Sequence, residues 1–167
     1  VSIELIGGGG GIKSVQRGVM GYQQTQAVIN EVEPEKASVR LVGYRQPDQG
    51  DYIGMGMAGL QLDSPTSIAA VFDDFRTEQE AEIYWEVVEY HGAKVQRGTL
   101  DMYLQTENDI VISKVKPEKA MINLMWGSIT SLRYTCGAEL IDAQTLRLRR
   151  KLQSSYTYFS WEVIELV

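Results

Sequence analysis

Apolar and polar residues alternate over short stretches along most of the chain. The stretches are separated by Gly, Pro, Asp and Ser and do not join into a helical period. Residues 27–32 and 110–115 are β-branched runs, and each soon meets a proline, Pro34 or Pro117. A proline supplies no ladder donor, so each run is expected to end there in a turn. Further strands are predicted at 38–44 and 121–126, at 60–62 and 139–141, and at 67–72 and 145–152. Residues 73–82, with Asp73, Asp74, Glu78, Glu80 and Glu82, fit a helical turn or a loop equally well. About six short strands per half, with no sustained helical pattern, predict antiparallel sandwiches.

The predicted strands come in two sets because the sequence repeats. Val15-Gln16-Arg17-Gly18 recurs as Val95-Gln96-Arg97-Gly98, and Val32-Glu33-Pro34-Glu35-Lys36-Ala37 as Val115-Lys116-Pro117-Glu118-Lys119-Ala120. Trp85-Glu86-Val87-Val88-Glu89 recurs as Trp161-Glu162-Val163-Ile164-Glu165. Three blocks in the same order define a duplication. The expected organisation is an arm with a glycine hinge at 1–11, a first sandwich at 12–90 and a second at 93–167. Units this small bury little surface alone. On the closing strand Trp85 and Val87 point one way and Tyr84, Val88 and Tyr90 the other. With both faces partly apolar, the second face needs a cover, either the sister unit or another subunit.

Composition narrows the function classes. The chain is 44% apolar, enough for packed cores, and its acidic balance, a net charge of −6, argues against a general nucleic-acid binder, which needs clustered Lys and Arg for phosphate contacts. No apolar run approaches the length of a membrane span, and no basic stretch followed by an apolar one opens the chain, so neither membrane insertion nor a secretion signal is expected. Cys136 is the one cysteine, which excludes an intrachain disulfide and suits assembly in a reducing cytoplasm.

The stretch Ile12 to Gly18, the turn at Pro34-Glu35-Lys36-Ala37 and the close Trp85-Glu86-Val87-Val88-Glu89-Tyr90 resemble small repeat proteins of tailed bacteriophages, counted as virion structural, fibre or tail-associated proteins. The same strands are similar to the H-type lectin domain, which opens with Val-Gln-x-Gly and closes with Ser-Trp-x-x-x-Glu, here Ser160-Trp161 through Glu165. With the duplication and the alternating arm, the lectin resemblance implies an all-β fold of two tandem antiparallel six-stranded β-sandwiches, H-type lectin-like, preceded by an extended N-terminal arm, and a homo-oligomer, a trimer. The phage resemblance implies a place in the virion, with assembly in the host cytoplasm. Lectins of this type hold sugar at subunit boundaries. Tyr44, Tyr52, Trp126 and Tyr134 are the candidate contacts for a host-surface glycan, with core packing as the other role for Trp126.

The candidate chemistry is sparse. His91, the one histidine, falls between the two units with no nucleophile signature beside it, and one His with one Cys does not make a tetrahedral metal site. No catalytic, cofactor or metal residue is assigned. Lys13-Ser14 after the glycines leads into a strand, so no phosphate loop forms. Instead, Ile3 and Leu5 in the alternating arm are candidates for strand addition to a neighbour. Arg17 with Glu86, and Arg97 with Glu162, are candidate structural ion pairs. The halves also differ in charge: Arg147, Arg149, Arg150 and Lys151 form a basic strip where the first half carries Asp73 and Asp74. This predicts head-to-tail docking of unlike units. The expected function is a phage virion structural protein, an accessory subunit of head surface or tail that binds other virion proteins. The alternative is a carbohydrate- or receptor-binding module of a tail.

Overall fold

The computed structural model describes residues 11–21, 24–45, 59–72, 82–128, 136–151 and 157–167. The arm with Ile3 and Leu5, the pair Asp73 and Asp74, and Tyr52 and Tyr134 lie outside these residues.

The described chain is all-β. The first half runs β1 (Ile12–Met20), β2 (Gln26–Val28), a 3-10 turn at Pro34–Lys36, β3 (Ala37–Arg45), β4 (Gly59–Ser64), β5 (Ser67–Phe72) and β6 (Glu82–Tyr90). The second half repeats that order as β7 (Ala93–Met102), β8 (Glu107–Val111), a 3-10 turn at Pro117–Lys119, β9 (Ala120–Ser128), β10 (Cys136–Asp142), β11 (Thr145–Arg150) and β12 (Thr157–Leu166). Each half has two three-stranded antiparallel sheets, β1-β6-β3 with β2-β5-β4, and β7-β12-β9 with β10-β11-β8. A core lies between the sheets of each pair. Met20, Val39, Leu60, Ile68, Trp85 and Val87 fill the first, and Met102, Leu146, Leu148, Phe159, Trp161 and Val163 the second.

Two predicted strands end early. β2 stops at Val28 and β8 at Val111, although the β-branched runs continue to Val32 and Val115. The later residues leave the ladder to seal the sandwich. Ile29 and Val32 are buried and donate their amides to the carbonyls of Thr66 and Pro65. Ile112 and Val115 do the same toward Gln144 and Ala143.

The duplicated blocks are the joints of this arrangement. Gln16 clasps the excursion after β2 from both sides: its Nε2 donates to the Asn30 carbonyl at 3.0 Å and its Oε1 accepts the Asn30 amide at 2.6 Å. Gln96 grips Ser113 identically, at 2.9 and 2.6 Å. At the close of each unit a glutamate holds the start of the 3-10 turn. Glu89 Oε1 accepts the Glu33 amide at 3.0 Å, and Glu165 Oε1 the Lys116 amide at 2.9 Å. Gln16→Ala leaves a backbone donor and acceptor of Asn30 without their partner, so urea unfolding should register a loss of about 1–3 kcal/mol. Gln16→Glu, which keeps an acceptor for the Asn30 amide but sets a second acceptor against the Asn30 carbonyl, should also lose stability.

A polar socket between the two units

In each half the opening, closing and β3-type strands place three polar side chains in one row across the outer face of a sheet. The register aligns Arg17, Glu86 and Arg40 in the first half, and Arg97, Glu162 and Asn123 in the second. The central glutamates are both buried, at 2% exposure. Alternation on β12 requires this placement: Phe159, Trp161 and Val163 face the core, so Ser160, Glu162 and Ile164 face away from it. Yet all three are buried, because the first unit covers them.

The covering element is the free edge of β3. Glu162 Oε2 accepts the Ser38 hydroxyl at 2.8 Å and the Val39 amide at 3.1 Å. Asn123 Nδ2 donates to the same oxygen at 3.0 Å and to the Val39 carbonyl at 2.6 Å. Both edge-facing backbone groups of Val39 are thus met by side chains of the other unit. Arg97 completes the socket. Its Nε lies 3.2 Å from Glu162 Oε1, and its Nη2 donates to the carbonyls of Pro34 at 2.8 Å and Ala37 at 2.5 Å. Alongside, the Ser160 hydroxyl donates to the Leu60 carbonyl on β4 at 2.8 Å, and Met125 of β9 enters the first unit's core. An exposed sheet edge is a pairing hazard; here two edges of one sandwich are capped by the face of the other.

The matching row of the first unit has no such guest among the described residues. Glu86 is ion-paired with both Arg17 and Arg40, yet its Oε1 has no hydrogen bond of good geometry. The arginine side chains there are 51% and 57% exposed, against 16% for Arg97.

The structure therefore brings Arg17 to Glu86 and Arg97 to Glu162. The basic strip is placed differently from the expectation. β11 is the central strand of its sheet, and alternate residues on it face acids from both neighbours. Arg147 makes a two-pronged contact with Asp109 at 2.6 and 2.7 Å. Arg149 lies between Glu107 at 3.4 Å and Glu139 at 2.5 Å. Arg150 has the inward parity of Leu146 and Leu148. It is buried and donates to the Gln105 carbonyl at 2.5 Å and the Thr157 hydroxyl at 3.0 Å, so it does not belong to a surface strip. Lys151 is exposed. Of the glycan candidates, Trp126 is half-buried against the second core, and Tyr44 lies in β3.

Other candidate chemistry stays dispersed. His91 is exposed in the link between β6 and β7, its amide donating to the Gly11 carbonyl at 2.9 Å. Among the described residues no three His, Cys, Asp or Glu converge as a metal site, and no helix is long and apolar enough to cross a membrane. A shallow hollow of about 140 Å³ over Gly137 and Ala138 is lined by Glu139, Arg147 and Arg149, whose charges are already paired with neighbours. Burial pushes the Cys136 thiol up to about 11. The nucleophile is the thiolate, so at pH 8 Cys136 should react with a disulfide reagent far more slowly than free cysteine and reach that rate only on unfolding.

Gln16, Gln96, Ser38 and Asn123 escaped the reading of the sequence for sites. The glutamines stood inside a duplicated block, which was the available signal. Ser38 and Asn123 sit where the copies differ, opposite Met121 and Arg40 of the other half. No protein-family model, no curated protein and no solved structure matches the chain. Its described residues define the class of an all-β, sandwich-like protein, with four three-stranded antiparallel sheets among them.

Proposed function

We propose that this chain is a structural protein of a tailed-bacteriophage virion, an accessory subunit of head surface or tail that works by protein–protein assembly. The observation that carries the assembly role is the use of Glu162. A buried carboxylate is costly unless it is fully partnered, and this one meets the backbone edge of the other sandwich unit of the same chain. The phage setting is supported by the Val-Gln-Arg-Gly and Trp-Glu blocks, which resemble phage repeat proteins. The same blocks suggest an H-type lectin-like form of the sandwich and a homo-oligomer, for which a trimer is the proposed state. Their side chains clasp the loop after β2 and β8, cap the 3-10 turns and set the outer row.

Mass spectrometry and immunogold labelling of purified particles test the proposal. Stoichiometric presence at a repeated position on head or tail is the expected result, and absence from particles overturns it. A glycan array run beside it tests the receptor-binding alternative, for which saturable binding to one sugar class is required.

A further inference from the structure

The row on the first unit is the socket of the second unit without its guest. Arg17, Glu86 and Arg40 occupy the register positions of Arg97, Glu162 and Asn123. The second unit in turn owns an edge like the one its sister inserts. By the same register Ala120, Met121 and Ile122 of β9 stand where Ala37, Ser38 and Val39 stand on β3. No side chain among the described residues meets that edge at Ile122, and Leu124, Trp126, Ala138 and Leu140 remain half-buried on the same side of the second core. Met125 closes the corresponding side of the first core.

We propose that a second copy of this chain seats its β9–β10 edge on the Arg17–Glu86–Arg40 row, repeating between chains the contact that joins the two units within one. The inference rests on the assembly reading above and deepens it by naming the partner and both surfaces. The charged and backbone groups of the internal contact have counterparts; the Ser38 and Ser160 hydroxyls, replaced by Met121 and Tyr84, do not. Glu86 accepts the Ile122 amide, as Glu162 accepts that of Val39. Arg40 replaces Asn123 as donor to the Ile122 carbonyl, and Arg17 reaches the carbonyls of Pro117 and Ala120 as Arg97 reaches those of Pro34 and Ala37. The apolar part is matched as well. Val42, the residue left over by the bulge between Leu41 and Gly43, is 61% exposed and takes the part of Met125. Met121, 44% exposed, takes the position of Ser38 beside the carboxylate. Tyr84 stands where Ser160 stands, and Ala138 where Leu60 stands, so a larger residue on the face is offset by a smaller one on the edge. The contact is heterologous. It therefore closes into a ring of whole chains or grows as a filament.

Sedimentation velocity and light scattering across a concentration series test this directly. The unaltered chain should form an oligomer of at least two chains. Val42→Glu blocks the face, and Met121→Glu places a second carboxylate against Glu86 and blocks the edge. Both positions are solvent-accessible, so circular dichroism should show folded protein, and each variant alone should run as a monomer. Mixed together they should yield a dimer and nothing larger, because one intact face then meets one intact edge. Val28→Lys and Val111→Lys, 86% and 84% exposed on β2 and β8, should assemble like the unaltered chain. A monomeric unaltered chain, variants that assemble normally, or a mixture that stays monomeric would each overturn the contact. A chain that is monomeric in solution but present in particles removes this contact and leaves the structural reading standing. A chain that self-associates through these surfaces but is absent from particles does the reverse.

Discussion

Glu162→Ala should be the most damaging single substitution among the described polar residues. Denaturant unfolding should show a loss of about 3–5 kcal/mol, the range for removing one partner of a buried, hydrogen-bonded charge pair. The size follows from what is stranded. Arg97, mostly buried, keeps its guanidinium without the carboxylate that faces it. The Ser38 hydroxyl and the Val39 amide lose their acceptor at an interface where water cannot replace it easily. Glu86→Ala provides the contrast. Its partners Arg17 and Arg40 are half-exposed and can turn to solvent, so the stability cost in the monomer should stay near that of a surface pair, about 1 kcal/mol. The same glutamate in two copies of one block thus predicts unequal results, and the difference measures what the sister unit adds. Equal losses from the two variants would mean that the socket contributes little beyond its own sheet.

That inequality also shows where the sequence stopped being informative. The duplicated blocks carried the strand count, the order of elements and the pairing of Arg with Glu, because each block pairs with a strand of its own unit. Val-Gln-Arg-Gly lies antiparallel to the closing Trp-Glu block, so local repetition implied the register. Which carboxylate meets the other unit was not legible, since Glu86 and Glu162 have nearly the same neighbours in sequence. The distinction resides in Ser38 against Met121 and in Asn123 against Arg40, where the copies diverge. The ion pairs of the basic strip were hidden for a related reason. Leu-Arg alternation on β11 was visible, but Glu107 and Asp109 lie on β8 and Glu139 on β10, and only the strand order brings them alongside. Early strand ends at Val28 and Val111 reflect hydrogen bonding to Thr66 and Gln144, which propensity along the chain does not report.

Gly98→Ala should also destabilise strongly, by about 1–3 kcal/mol through overpacking, and Gly18→Ala by at least as much. Gly98 stands opposite Trp161 and Gly18 opposite Trp85 in the strand register. Each indole lies over the glycine of the neighbouring strand. A methyl added at Gly98 would come 2.7 Å from Trp161 Cζ2 and 3.0 Å from Cε2, and at Gly18 closer still to the same atom of Trp85. The ring cannot swing aside, because both tryptophans are 7% exposed and wedged among core residues. Relief requires β7 to move off β12, which would disturb the Arg97–Glu162 row one residue away. Gly43→Ala is the control, since a methyl there meets nothing within 4 Å and should leave stability nearly unchanged. The decisive comparison is Gly98→Ala combined with Trp161→Phe. A smaller ring vacates the space the methyl needs, so the double variant should be less destabilised than the sum of the two single ones. Additivity would show that the glycine serves the backbone and not the indole.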